Sequence, residues 1–335
     1  MNILAIVRGG MGDLVCDLAV LQSLKAGRNG SPVDITVLAT NQRCLDAARF
    51  LRGRSAIDGV LDWTTVGYGR VLKTGPLLPE LVNLIERSDL VLQFDVDDRR
   101  AFKRVSEVGG SRVHAIDYRP QNGRKLGRIC DVLVEAARDR GLPLGHDPVP
   151  RIDMPNVGTE PDLVVLAPGA GEVAKLWPIA GWLTVAEWHR QRGRRVLWAL
   201  GPLERNNPTF RPIYERLGAQ FKLYRMRGEP FCRWINVPAD PDSSDVDFSA
   251  EWVLADGTLE DRMLQIVRAA EYTGSDSGLT HLVAACGVPR VRCIWNGWGM
   301  LHNYPFWSSP CPNVVHVLPE APLNPPVEKV FAGVE

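Results

Sequence analysis

Short apolar runs alternate with amphipathic stretches along most of the chain. Ile3 to Val7 is rich in β-branched residues and is followed by Gly9 and Gly10, the pattern of a strand buried on both faces of a parallel sheet. Leu14, Leu18, Leu21 and Leu24 recur at helical spacing, which predicts a helix over Asp13 to Lys25. Asp34 to Ala39 predicts a second strand, so the chain opens strand–glycine loop–helix–strand, the start of an α/β sheet. Leu90 to Phe94 predicts a strand running into Asp95, Asp97 and Asp98, and Ile129 to Arg140 a helix stopped by Gly141-Leu142-Pro143.

Gly145 to Gly158 is rich in Pro, Gly and Asp without periodicity and predicts a linker. The alternation then restarts. Strands are expected at Leu163–Leu166, Arg195–Leu200, Glu271–Thr273 and Val291–Trp295, and helices at about Ile179–Arg190, Glu260–Ala270 and Leu279–Cys286. Pro238 to Asp247 reads as a polar loop, and the chain after Pro319 is Pro-rich until Val327. The expected organisation is an N-terminal α/β domain over 1–150, a C-terminal one over 159–318 and a tail over 319–335.

Composition sharpens this picture in three ways. A length of 335 residues, 45% hydrophobic and 23% charged, suits two soluble globular domains. Lys+Arg and Asp+Glu balance at 39 each, which leaves no basic field for general nucleic-acid binding. The seven cysteines are scattered with no Cys-x-x-Cys pair, as expected of reduced thiols in a cytoplasmic protein. The apolar N-terminal run is too short and lacks the basic start of a signal peptide. No stretch is long and apolar enough to span a bilayer, so any contact with a membrane is expected to be peripheral.

Three loops could carry chemistry, because ligands of open parallel sheets bind where strands end and helices begin. The first is Arg8-Gly9-Gly10-Met11-Gly12-Asp13. Gly10 and Gly12 match two positions of a dinucleotide fingerprint, but Val15 occupies the third, and the second strand ends Ala39-Thr40-Asn41 without an acid, which argues against a nicotinamide cofactor. Asp13 sits where a helix N-cap is expected, and capping alone would account for an Asp there. The second loop runs from Pro168-Gly169-Ala170 to Lys175-Leu176-Trp177-Pro178; Trp177-Pro178 is expected to dock on the domain and start a helix. Lys175 is a candidate phosphate ligand or an ordinary surface lysine. The third loop, Gly274 to Leu282, places small residues at a helix start, where free amides cradle a diphosphate. His281, on the first turn of that helix, fits a core or a capping histidine.

Taken together the three loops resemble the ADP-heptose:lipopolysaccharide heptosyltransferases, family nine of the glycosyltransferases. The resemblance rests on Val7-Arg8-Gly9-Gly10-Met11-Gly12-Asp13, on Pro168-Gly169-Ala170 with Lys175 and Trp177-Pro178, and on Gly201-Pro202-Leu203-Glu204. Its most specific stretch is Asp276 through Pro289, Asp-Ser-Gly-Leu-x-His-Leu-x-Ala-Ala-x-Gly-Val-Pro. It implies an α/β GT-B fold with two Rossmann-like domains facing a central cleft, and an inverting transfer without metal or cofactor. The partners implied are an ADP-linked or other nucleoside-diphosphate sugar as donor and a glycan or lipid-linked acceptor in lipopolysaccharide biosynthesis. By position, Asp13 would be the general base, and Gly12 beside it would contact the donor. Lys175 would hold the donor phosphate, Glu204 the ribose, and Asp276, Ser277, Gly278, Leu279, Thr280 and His281 the diphosphate and sugar. Asp276 cannot help the diphosphate directly and is assigned to a sugar hydroxyl or to holding the loop.

The chain departs from the family in its Gly-Gly-Met loop, in the long segment from Leu223 to Trp252 and in the aromatic segment Trp295–Trp307. Arg119, Arg124, Lys125 and Arg128 offer either an acceptor-phosphate site or a solvated basic loop. No cluster has convincing metal-ligand spacing, and Asp95-Val96-Asp97, Asp240-Pro241-Asp242 and Asp245-Val246-Asp247 are not read as metal sites. Of the ten tryptophans, most are expected to fill core and some to stack on sugars. A GT-B-like sugar-nucleotide epimerase, or a sugar-nucleotide-binding protein without activity, remain the alternatives.

Overall fold

A computed structural model describes residues 1–27, 32–69, 76–94, 99–117, 127–145, 149–201, 204, 207–216, 221–225, 232–236, 251–254, 258–297, 304–319 and 326–331. The chain forms two compact α/β units, Met1–Asp153 with Pro305–Cys311, and Met154–Tyr304 with Pro312–Glu335.

The first unit runs β1 (Asn2–Val7), α1 (Met11–Ala26), β2 (Asp34–Ala39), α2 (Gln42–Leu51), β3 (Gly59–Asp62), α3 (Pro79–Arg87), β4 (Leu90–Phe94), α4 (Arg99–Gly109), β5 (Val113–Ile116) and α5 (Ile129–Asp139). The parallel sheet has the order β3-β2-β1-β4-β5. The chain therefore builds outward from β1 to one edge, then returns to β4 and builds to the other. The switch point lies between β1 and β4. One side of the sheet buries Leu4, Ile6, Leu38 and Val91 against Tyr68, Leu81, Ile85, Ala101 and Val105. The short segment Pro305–Cys311 joins this unit through Ile129 N donating to Phe306 O, at 2.8 Å, and through the Cys311 thiol reaching Pro150 O.

The second unit runs β6 (Glu160–Ala167), α6 (Ile179–Arg190), β7 (Arg195–Ala199), α7 (Arg211–Arg216), β8 (Phe221–Arg225), β9 (Cys232–Asn236), β10 (Glu251–Leu254), α8 (Leu259–Ile266), β11 (Ala269–Ser275), α9 (Gly278–Ala285), β12 (Arg290–Ile294), β13 (Val314–Val317) and α10 (Val327–Phe331). Its sheet has the order β13-β12-β11-β6-β7-β10-β9-β8, parallel throughout its β13-to-β10 part, with β9 antiparallel to both neighbours. Here the switch point lies between β6 and β11. Trp177, Trp182, Trp198 and Trp295 are buried, as expected of core tryptophans, and Trp177 meets Trp182 edge to face at 5.5 Å. Pro178 is the N-cap of α6, as the Trp-Pro step predicts.

Several boundaries differ from those read in the sequence. The helix expected over Glu260–Ala270 ends at Ile266, because Ala269 already pairs as the first residue of a seven-residue β11. Val291–Trp295 is not the last strand; Val314–Val317 adds β13 at the edge. The polar loop from Pro238 to Asp247 lies outside the described residues, as do all three Asp-x-Asp steps.

A buried ionic knot holds the second sheet. Glu271, 2% exposed, receives Arg292 from β12, Arg194 at 3.0 Å and Arg290 at 3.8 Å, while His189 of α6 stands 3.9 Å away. Burial lowers the His189 pKa to about 3, and Arg194, Arg292 and Arg192 repel a further charge. Glu271 alone would favour the imidazolium, but three arginines already share that carboxylate, so His189 stays neutral. Burial likewise lowers the Arg292 pKa to about 10.

Candidate functional site

In the first unit the carboxyl end of β1, beside the switch point, delivers the chain into Arg8-Gly9-Gly10 and α1. Asp13 is the third residue of α1, not its N-cap as the sequence suggests; the cap is Gly10 in an extended conformation. The carboxylate reaches back, and Gly10 N donates to its Oδ2 at 2.5 Å. Gly9 makes this close turn feasible. Its φ is +110°, and a Cβ there would lie 2.6 Å from the Asp13 carboxyl carbon. Asn41, after β2, donates to Gly9 O at 2.6 Å while its own oxygen caps α2 at Cys44 N. The residue that took the place of a ribose-binding acid thus braces the glycine loop. Gly12 is the second residue of α1.

Cys44 and Cys16, whose thiols feel the Asp13 carboxylate, are poor nucleophiles. Burial raises the Cys44 pKa to about 12, helped by the Asp17 and Asp13 carboxylates. A hydrogen bond with Cys130, then burial, pushes Cys16 up. Arg119, Arg124 and Lys125 lie outside the described residues; Arg128 is described and pairs loosely with Asp131 at 3.8 Å.

In the second unit the loops after β6 and β11 flank the switch point, where a ligand site is expected. They are tied directly: Ser275 Oγ donates to Pro168 O at 3.0 Å, fully buried. The sequence-predicted residues Lys175 and Asp276 meet here. Lys175 Nζ lies 3.0 Å from Asp276 Oδ2, with the lysine side chain 21% exposed and the aspartate 4%. The contact lacks hydrogen-bond alignment, so Asp276 Oδ2 is a buried acceptor with unused capacity. His281 Nε2 stands 3.9 Å from the other carboxylate oxygen. Thus the pair sets a partly exposed ammonium beside a buried carboxylate oxygen with room for a further donor.

α9 starts at Gly278 with Ser277 as an extended N-cap whose side chain makes no capping bond. Thr280 N donates to Ser277 O at 3.1 Å, and the amides of Gly278 and Leu279 before it carry the positive end of the helix dipole. That turn is pinned from below. Thr280 Oγ1 donates to Ser275 O at 2.7 Å and meets the buried Tyr272 hydroxyl at 3.2 Å. Gly274 runs beside both hydroxyls; a Cβ there would be 2.5 Å from one and 2.6 Å from the other. Burial raises the Tyr272 pKa well above its ordinary value, so this hydroxyl stays neutral.

Glu204 sits between two glycine loops from neighbouring strands. Gly201 N, just past β7, donates to Glu204 Oε2 at 2.8 Å, and a Cβ on Gly169 would strike the same carboxylate. The sequence pass missed Asn296, which follows β12 and donates from Nδ2 to Ala174 O at 2.8 Å and Leu176 O at 2.9 Å. Its position directly past a strand end next to the switch was the available signal.

The arrangement defines the class. Two Rossmann-like α/β units, with an anion-ready helix start at the switch point of the second, make this a GT-B fold. Solved structures with this fold include ADP-heptose lipopolysaccharide heptosyltransferase II of E. coli, 17% identical, with 95% of this chain and 90% of that one covered at a TM-score of 0.65. The family 9 glycosyl transferase from Veillonella parvula is 13% identical, with 95% and 85% covered at 0.63. E. coli heptosyltransferase WaaC with ADP-2-deoxy-2-fluoro heptose is 15% identical, with 88% of each chain covered at 0.53. No protein-family model matches the chain, and no curated protein matches it. At these identities the likeness establishes the fold. Among the described residues no helix is long and apolar enough to cross a membrane.

Proposed function

We propose that the chain is a glycosyltransferase of the family 9 type, transferring heptose or a related sugar from an ADP-linked or other nucleoside-diphosphate donor. The acceptor is a glycan or lipid-linked saccharide of lipopolysaccharide biosynthesis, and the anomeric centre is inverted without a metal ion. The observation that carries this reading is the Lys175–Asp276 pair beside the start of α9, with the loops after β6 and β11 stapled together by Ser275 and Pro168. The fold shared with the E. coli and Veillonella structures supports it.

In this reading the diphosphate lies on the amides of Ser277 to Leu279. Lys175 turns from Asp276 to the phosphate as the leaving group gains charge, which supplies electrostatic stabilisation without metal. Asp276 Oδ2 then accepts from a sugar hydroxyl, and Glu204 accepts from the ribose. Asp13 takes the proton from the acceptor hydroxyl as it attacks, on the face opposite the diphosphate.

Ligand-induced stabilisation tests the donor site. A ligand that binds only the folded state stabilises it by roughly 2.7 kcal/mol at a hundredfold excess over Kd. ADP should raise the melting temperature clearly, AMP less, and NAD little. Lys175→Ala removes a charge-assisted contact of about 1.5–3 kcal/mol, so ADP should bind roughly ten- to a hundredfold more weakly while adenosine binding is unchanged. Stabilisation by NAD and by no nucleoside diphosphate would overturn the assignment.

A further inference from the structure

We infer that Asn296 is a positioning residue for Lys175, clamping the turn that presents its ammonium to the donor phosphate. The inference rests on the reading of Lys175 as a diphosphate ligand. Lys175 ends a three-residue 3₁₀ turn, Val173–Lys175, which starts without a side-chain cap and exposes Val173 at 75%. Within that turn, the backbone is held by Lys175 N donating to Glu172 O and Leu176 N to Val173 O, both at 3.0 Å. A single turn of this kind is weak on its own.

Asn296 supplies the missing restraint from a rigid base. Its amide group donates to the carbonyl before Lys175 and to the carbonyl after it, at 2.8 and 2.9 Å. Gly297 N donates to Asn296 Oδ1 at 2.7 Å, which fixes the orientation of the amide. One N–H per carbonyl and one acceptor for Gly297 is a match only a primary amide makes here. The residue before it is anchored: Trp295 is fully buried, its backbone N donates to Val317 O at 3.0 Å, and its Nε1 donates to His316 Nδ1 at 3.0 Å. Asn296 therefore ties the Lys175 turn to the end of β12, while Asp276 holds the ammonium at the end of neighbouring β11. Backbone and charge of the same lysine are set by adjacent strands, so its approach to the phosphate is preorganised.

Asn296→Asp tests this, because the carboxylate keeps the shape but turns two donors into acceptors facing carbonyls. Asn296→Ala is the companion that adds no charge. Hydrogen exchange of the full-length protein without ligand reads the clamp, and isothermal titration with ADP and with adenosine reads its consequence. The expected result is faster exchange at the amides of Lys175 and Leu176, ADP affinity reduced roughly tenfold, and adenosine affinity unchanged, with the melting temperature of Asn296→Ala close to that of the parent. In a Lys175→Ala background Asn296→Ala should not weaken ADP further. Unchanged exchange in both variants would overturn the inference, as would equal losses for ADP and adenosine, or normal ADP affinity. If the parent protein itself failed to bind ADP while exchange rose in the variants, the donor-site reading would fall first and the positioning role with it.

Discussion

Gly274→Ala probes how tightly the sheet and the helix start are fitted. The added methyl would lie 2.5 Å from the Tyr272 hydroxyl and 2.6 Å from Thr280 Oγ1, both on side chains at most 2% exposed. Neither hydroxyl can swing away freely: they contact each other at 3.2 Å, and Thr280 Oγ1 is bonded to Ser275 O at 2.7 Å. Overpacking of a tight core costs about 1–3 kcal/mol. Loss of the Thr280 bond adds about 0.5–1.5 kcal/mol, so a destabilisation of about 1.5–4.5 kcal/mol is expected. The displaced group is the first turn of α9, whose amides would receive the diphosphate, so ADP affinity should fall at least tenfold as well. Urea unfolding followed by tryptophan fluorescence measures the first effect and calorimetric titration the second. Gly171→Ala is the control, since nothing lies within 4 Å of a Cβ there, and its effect should stay within about 0.5 kcal/mol. Gly274→Ala as stable as that control would refute the packing argument, and normal ADP binding would separate α9 from the donor site.

Asp13→Asn should reduce kcat by roughly two to four orders of magnitude with donor affinity little changed; near-normal turnover would leave Asp13 as a brace for the glycine loop alone. The same assay run with a chelator, with product anomers read by NMR, should show undiminished activity and an inverted anomeric proton, whereas loss restored by manganese would reject the metal-free mechanism. His189 supplies a pH signature. Its folded pKa of about 3 lies below the ordinary imidazole value, so the unfolded state binds the extra proton between roughly pH 6.5 and 3. Stability should therefore be fully present above about pH 6.5 and fall on acidification by up to about 1.4 kcal/mol per pH unit. His189→Gln should flatten that slope, and an unchanged slope would mean that His189 is charged in the fold.

The periodicity of the apolar runs sufficed for much of the framework. Leu90–Phe94, Asp34–Ala39 and Ile179–Arg190 are strands and a helix with the bounds expected of them, because their burial is set by local patterning. The residues at strand ends were legible too, since glycine and small polar residues mark where backbone must approach something closely. Local pattern could not show that Asp13 is folded back onto Gly10, because N-cap and third-position acids look alike until the preceding φ is known. Nor could it place Pro305–Cys311 with the first unit, which depends on long-range bonds such as Ile129 to Phe306. The meeting of Lys175 with Asp276, and the hold of Asn296 on the turn between them, belong to tertiary structure alone. Those contacts span about a hundred residues or more of chain, and only the strand order, with β11 between β6 and β12, brings them together.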